Sequence, residues 1–209
     1  TLGGLFEGAQ NVSDNFLEYD AARDIWTELS PLPEARHHVA VSVVEDHLYG
    51  IGGFMGGFPN WEAQNTVFVY DFNTAEWTES TPLPQPRGEH TAVVIEEKMY
   101  VVGGRQFTAQ ESGEYANVNV ASLEVYDPEA ESWETLVPLP QAAGGITATA
   151  VDGKLYVFGG EQWVPEQAVI AEAWVYDPAL DQWTSLPDMP TPRHGMAAGA
   201  IGNQINVIG

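Results

Sequence analysis

Residues 93–104 read VVIEEKMYVVGG, and residues 125–133 read VYDPEAESW. In the first stretch two apolar runs flank the pair Glu96-Glu97 and end at Gly103-Gly104. Short apolar runs broken by a turn-sized polar pair specify a β-hairpin. In the second stretch Tyr126-Asp127 closes one run, Pro128 and its acidic neighbours make a turn, and Trp133 sits in the next run. Asp and Pro in that order favour a type I turn. Together the two stretches describe four short antiparallel strands.

The same markers recur along the chain. Gly-Gly follows an apolar run at Gly52-Gly53, Gly103-Gly104 and Gly159-Gly160; Gly3-Gly4 lies near the start and Gly209 at the end. Tyr-Asp recurs at residues 19, 70, 126 and 176, and Trp at residues 26, 77, 133 and 183. Pro-x-x-Arg follows at Arg36, Arg87 and Arg193, whereas the third copy has Ala143. From Tyr to Trp is 7 residues, from Trp to the Arg position 10, and from there to the next Gly 16, in all four copies. Only Gly to Tyr varies, at 16, 18, 23 and 17 residues. Three connections of each unit are locked in length and one is free.

Four strands per unit of about 50 residues make a β-propeller blade. With strands a to d counted outward from the axis, the chain opens at the end of a b strand, continues c–d, passes three full sets and closes on a–b. That reading gives sixteen strands, in units of about 1–35, 36–86, 87–142, 143–192 and a partial 193–209. The quoted stretches resemble the kelch repeat, and the resemblance covers essentially all of residues 1–209. It implies an all-β, kelch-type propeller of four-stranded antiparallel blades. Kelch propellers typically have five to seven blades, so the expectation is a piece of such a ring, whose missing blades belong to the same chain; a closed four-bladed ring is the alternative.

Composition narrows the partners. The chain has 209 residues, 30 Asp+Glu against 7 Lys+Arg, and a formal net charge of -23. Phosphate binding needs clustered Lys and Arg, so nucleic acid is excluded as a partner, and an anionic membrane surface likewise. No apolar run approaches the ~20 residues of a membrane helix, so no membrane insertion is expected. With no Cys, disulfides, thiolate metal sites and a Cys nucleophile are absent from this chain. Missing Cys and high acidity lead to an expectation of a prokaryotic extracellular or cell-surface protein, or else a cytoplasmic one from a salt-adapted organism.

Alternating strand direction puts the a–b and c–d turns on one face and the b–c and d–a connections on the other. The variable b–c segments carry Phe6, Phe54, Phe58, Trp61, Phe107, Tyr115 and Trp163. Aromatics in polar loops suit stacking on a sugar or anchoring a peptide. Arg36, Arg87 and Arg193 lie in d–a connections, and Arg105 opens the longest b–c loop. The expected ligand site is therefore a pocket over the axis with Arg36, Arg87, Arg193, Arg105, Phe58, Trp61, Phe107, Tyr115 and Trp163 as candidates, taking an acidic or polyhydroxylated ligand through bidentate Arg. The resemblance implies the same use of Arg, since Arg at similar positions in BTB–kelch adaptors helps bind partner peptides; Ala143 breaks the ring. The alternative role for these Arg residues is structural, pairing with a neighbouring blade.

His37, His38, His90 and His194 flank the Arg positions at unequal offsets, so strand alternation does not aim them at one centre, and no metal or other cofactor is expected. Nucleophile-elbow, HExxH and Walker motifs do not occur. The kelch resemblance also brings in galactose-oxidase-like copper chemistry, which uses a Tyr–Cys cross-link this chain cannot make. The leading reading is a non-catalytic module that binds a protein or glycan through the b–c/d–a face. The rivals are a carbohydrate-acting enzyme of the mutarotase or epimerase type, with its site over the axis, and a purely structural acidic module.

Overall fold

The computed structural model describes residues 1–109, 115–163 and 166–209, with residues 108–109 and 115–116 described by their backbone alone. Every helix or strand among them is a strand. Three sheets have the full a–b–c–d order. They are Ala40–Val44, His47–Ile51, Val67–Asp71 and Glu76–Ser80; Thr91–Ile95, Lys98–Val102, Leu123–Asp127 and Ser132–Leu136; and Thr147–Val151, Lys154–Phe158, Ala173–Asp177 and Gln182–Leu186. A three-stranded sheet (Leu2–Phe6, Asn11–Asp20, Ile25–Glu28) precedes them and a hairpin (Ala197–Ile201, Gln204–Ile208) follows. The opening sheet and the closing hairpin do not join in one sheet, so a closed four-bladed ring does not form. The inner strands lie side by side in chain order, from Ala40–Val44 to Ala197–Ile201.

The described residues hold 23 strands rather than sixteen. The surplus lies mainly in the b–c connections, which are hairpins: Phe54–Met55 with Glu62–Ala63, Arg105–Ala109 with Tyr115–Asn119, and Glu161–Gln162 with Ala168–Val169. Backbone groups that leave the blade at the Gly-Gly bend still need partners, and the returning chain supplies them. In the opening unit, strand b and its hairpin run together through a bulge between Leu2 and Gly4.

The core sits between blades. Along Lys98–Val102, Tyr100 and Val102 join a cluster with Leu155, Val157 and Tyr176, while Met99 and Val101 join another with Ile51, Val67 and Val69. Alternate side chains thus enter opposite neighbours, which is why a b strand reads as a continuous apolar run. Where the packing stops, apolar side chains face solvent: Ile201 and Ile208 in the closing hairpin, Trp26 in the opening sheet.

Two sets of hydrogen bonds join successive blades. The indole N–H of Trp77, Trp133 and Trp183 donates to the carbonyls of Ser30, Thr81 and Val137, each at 2.9 Å and each in the preceding unit. The Trp rings rest on the repeat's Tyr, with centroids 4.8–5.1 Å apart across the four copies. Closer to the axis, the second Gly of each pair donates to the Arg-position carbonyl of the next unit: Gly4 to Arg36 (2.8 Å), Gly53 to Arg87 (2.9 Å), Gly104 to Ala143 (2.8 Å) and Gly160 to Arg193 (2.8 Å). The approach leaves no room for a side chain. A Cβ on Gly52 would stand 2.6 Å from the Arg87 carbonyl oxygen, at a φ of +58° that disfavours any other residue.

Gly52→Ala is therefore expected to destabilise the protein by about 2 kcal/mol or more, through clash and left-handed strain combined. Gly199→Ala, whose added Cβ meets nothing within 4 Å, should shift stability by about 0.5 kcal/mol or less. Urea midpoints of the two variants check this.

Candidate functional site

The site forms where each chain segment leaves its Arg position for the inner strand. Two residues past that position the backbone turns left-handed, at His38 (φ 51°), Glu89 (φ 56°), Gly145 (φ 62°) and Gly195 (φ 62°). These four residues link the blades in series: Glu89 N–H donates to the His38 carbonyl (3.2 Å), Gly145 N–H to Glu89 (2.9 Å) and Gly195 N–H to Gly145 (2.9 Å). One residue beyond each Gly-Gly pair, the chain bridges back to the residue after the Arg position: Phe54 to His37, Arg105 to Gly88 and Glu161 to Gly144. Phe54, Arg105 and Glu161 thus occupy equivalent places in successive blades.

Between these segments lies a cavity of about 590 Å³. Arg105, with a side chain only 4% exposed, donates to Glu89 and sets its other guanidinium nitrogen 3.3 Å from Glu161 Oε1. Its guanidinium also lies over Trp163, 5.2 Å from the ring centroid. Both carboxylates are 8% exposed. Burial pushes the Glu89 carboxyl above its ordinary range, and Arg105 works against that rise. His38 Nε2 lies 3.9 Å from Glu89, and His194 Nδ1 lies 3.9 Å from Glu161. Burial first, then His37 and Arg105, hold the His38 imidazole down to about 4, so it is neutral at pH 7. One wall is aromatic: Trp61 stacks on Phe54 at 5.5 Å and meets His38 at 5.3 Å and Phe107 at 5.8 Å.

The structure divides the sequence candidates. Arg105, Trp61 and Trp163 line the cavity. Phe107 packs on Trp61, and Phe58 sits at the outer end of the same wall, 57% exposed. The side chain of Tyr115 lies outside the described residues. Arg36 and Arg87 are corrected: they are 1% and 0% exposed and point into the blade. Arg36 donates to the Gly52 carbonyl (3.0 Å) and to Glu34, and lies over the Phe68 ring at 5.4 Å. Arg87 donates to the Gly103 carbonyl (3.4 Å), to Ser122 and to the buried carboxylate of Glu124. Arg193, exposed, bonds the Gly209 carbonyl in the same way. Each of these bonds spans the 16-residue interval, which the third copy keeps without an Arg. Ala143 needs no Arg, because Trp174 occupies the register place of Phe68 and Glu124 and is itself buried.

The cavity also gathers two residues not picked out from the sequence, Glu89 and Glu161, together with His38 and His194, which the sequence reading did not aim at one centre. The unequal offsets of the histidines do not keep them apart, since the left-handed residue interrupts strand alternation, and His38, His90 and His194 line one space. The available signal was position, two past the Arg place for Glu89 and one past Gly-Gly for Glu161. On the opposite face Asp20, Asp71, Asp127 and Asp177 accept backbone N–H groups of their own turns, as Asp in turns does.

The KLHDC2/KLHL20/DRC7 Kelch-repeats domain matches residues 1–209, and the chain belongs to the kelch-repeat family. It is 32% identical over 168 residues to Kelch-like protein terF of Aspergillus terreus, covering 78% of this chain and 36% of that protein. It is 30% identical over 165 residues to Kelch repeat and BTB domain-containing protein 12 of Homo sapiens, covering 74% and 26%. To Beta-scruin of Limulus polyphemus it is 27% identical over 156 residues, covering 72% and 16%. The chain thus spans about a third or less of the length of these relatives. They are eukaryotic kelch proteins, which overturns the expected prokaryotic, extracellular placement. Net charge and Cys count describe solubility and surface chemistry; they do not report lineage or compartment.

Removing one member of a buried pair strands its partner's charge. Arg87→Met is expected to cost about 3–5 kcal/mol by leaving Glu124 unpaired, and Arg87→Met with Glu124→Leu to recover most of the loss. Denaturant unfolding of the two variants reads the difference.

Proposed function

We propose that this chain is a non-catalytic binding module, part of a ring of five to seven blades, whose partner protein docks on the b–c/d–a face. The observation that carries the reading is the cavity of about 590 Å³ where the hairpins converge, with Trp61 and Trp163 beside the buried Arg105, Glu89 and Glu161. Interfaces concentrate their energy in such aromatic and Arg anchors around a desolvated centre. Phe58 and Trp163 extend an apolar rim at 57% and 41% exposure. Contact between neighbouring hairpins steadies that rim: Phe58 N–H donates to the Ala9 carbonyl at 2.9 Å, and Asn119 donates to the Glu161 carbonyl at 2.6 Å. The scaffold presents a largely preformed surface, which lowers the ordering cost of association.

A second reading, a carbohydrate-acting enzyme, draws on Glu89 and Glu161. Two carboxyls face one cavity, and burial raises one of them. A carboxyl raised by burial is the kind that serves as a general acid. Trp163 offers a sugar ring a surface to stack on.

Peptide and glycan arrays probed with the whole chain separate these readings. Trp163→Ala is expected to weaken peptide hits about tenfold, about 1.4 kcal/mol, with thermal unfolding unchanged. Hits indifferent to Trp163→Ala and Trp61→Ala would refute the proposed face. Chemical conversion of a bound glycan, lost in Glu89→Gln, would establish the enzyme instead.

A further inference from the structure

The cavity's own chemistry specifies what kind of side chain it accepts. Two carboxylates, Glu89 and Glu161, share the single guanidinium of Arg105. The other titratable groups lining the space are His38, His90 and His194. Burial leads in holding His38 and His90 down, to about 4 and about 3, so both are neutral at pH 7. The lining therefore sets two carboxyl groups against one guanidinium in a desolvated place. Both terminal guanidinium nitrogens of Arg105 face these carboxylates, so an anionic ligand would have to displace two buried carboxylates to reach them; its Nε–H is buried and unpartnered among the described residues.

Five buried side-chain atoms on residues lining the cavity lack hydrogen-bond partners among the described residues: Glu89 Oε2, Trp61 Nε1, Arg105 Nε and both ring nitrogens of His90. Glu89 Oε2 is an acceptor on a side chain 8% exposed, and Trp61 Nε1 is a donor. An unmade bond on a buried polar group is costly, and a ligand of matching polarity recovers that cost. A protonated amine or guanidinium matches Glu89, and a peptide carbonyl matches the Trp61 N–H. Trp163 has Arg105 over its ring yet is still 41% exposed, and an indole attracts a second cation to any open part of its face.

On these grounds, and resting on the protein-binding reading above, we propose that the cavity takes a lysine or arginine side chain of the partner protein, held between Trp61 and Trp163 with its charge on Glu89 and Glu161. This reverses the preference for acidic ligands that the Arg positions imply in the sequence. The net charge of -23 adds long-range attraction for a basic partner and speeds encounter.

The test uses four pools of nine-residue peptides, random at eight positions, with Lys, Arg, Gln or Glu fixed at the centre. Binding to the whole chain is read by fluorescence polarisation at 150 mM and 500 mM NaCl. The Lys and Arg pools are expected to bind at least tenfold more tightly than the Gln pool, and the Glu pool most weakly. Glu89→Gln and, separately, Glu161→Gln should each shrink that ratio to threefold or less. Glu129→Gln, on the opposite face, should leave it unchanged, which separates the cavity from diffuse attraction to an acidic protein. If the Glu89 variant melts early, the Glu161 variant and Trp163→Ala decide. A ratio that survives the cavity variants, or vanishes equally in Glu129→Gln, overturns the proposal. Gln or Glu pools that bind best and lose binding in Trp163→Ala overturn it while sparing the docking face. Absence of binding by any pool overturns both.

Discussion

The hydrogen bond from the second glycine of each Gly-Gly pair to the Arg-position carbonyl of the next unit is the constraint on which the other features depend. Gly53 to Arg87 and Gly104 to Ala143 are equivalent bonds at 2.9 and 2.8 Å, although one acceptor is Arg and the other Ala. The acceptor is backbone, so the side chain is free to vary while the bond persists. The close approach forbids a Cβ at Gly52 and at Gly103, and the left-handed bend there turns the chain out of the blade into its b–c hairpin. The residue that follows the bend is thereby set in an equivalent place in each blade: Arg105 and Glu161 line the cavity, and Phe54 packs behind Trp61.

The Arg side chain has a scaffold role within this arrangement. Its guanidinium returns to the first glycine's carbonyl in its own blade, at 3.0 Å for Arg36, and its remaining donors find whatever the c strand offers. That is the Phe68 ring for Arg36 and Glu124 for Arg87, while Trp174 fills the place beside Ala143. A buried guanidinium needs such partners, since an unpaired charge there is costly. The cavity is lined by residues outside the repeat's fixed letters: Arg105, Glu89, Glu161, Trp61 and Trp163.

This explains what could be read in the sequence. The blades were legible because the fixed letters each close a specific bond. Trp reaches a neighbour's carbonyl, Asp caps its own turn, and Gly-Gly clears the inter-blade contact, so their intervals cannot drift. That the b–c and d–a connections share a side was legible too, because strand alternation decides which connections lie together. The roles of Arg36 and Arg87 were not, since a basic residue at a strand start reads alike whether it turns outward or into the blade; only burial separates the two. Glu89 and Glu161 were hidden among the many acids of this chain, and their convergence with Arg105 depends on pairing across blades. The hairpin nature of the b–c segments was equally hidden, because Phe54–Met55 and Glu161–Gln162 are too short to show a period.

Membership of the kelch-repeat family accords with this division, as a fixed frame carries site residues that the frame does not require. The central claim, that the Gly-Gly bond holds successive blades together, has a direct measurement in amide hydrogen exchange followed by NMR. Gly53, Gly104 and Gly160 should exchange among the slowest amides of the protein, only through global unfolding. Exchange at those three positions as fast as at the turn glycines Gly8 and Gly202 would contradict the account.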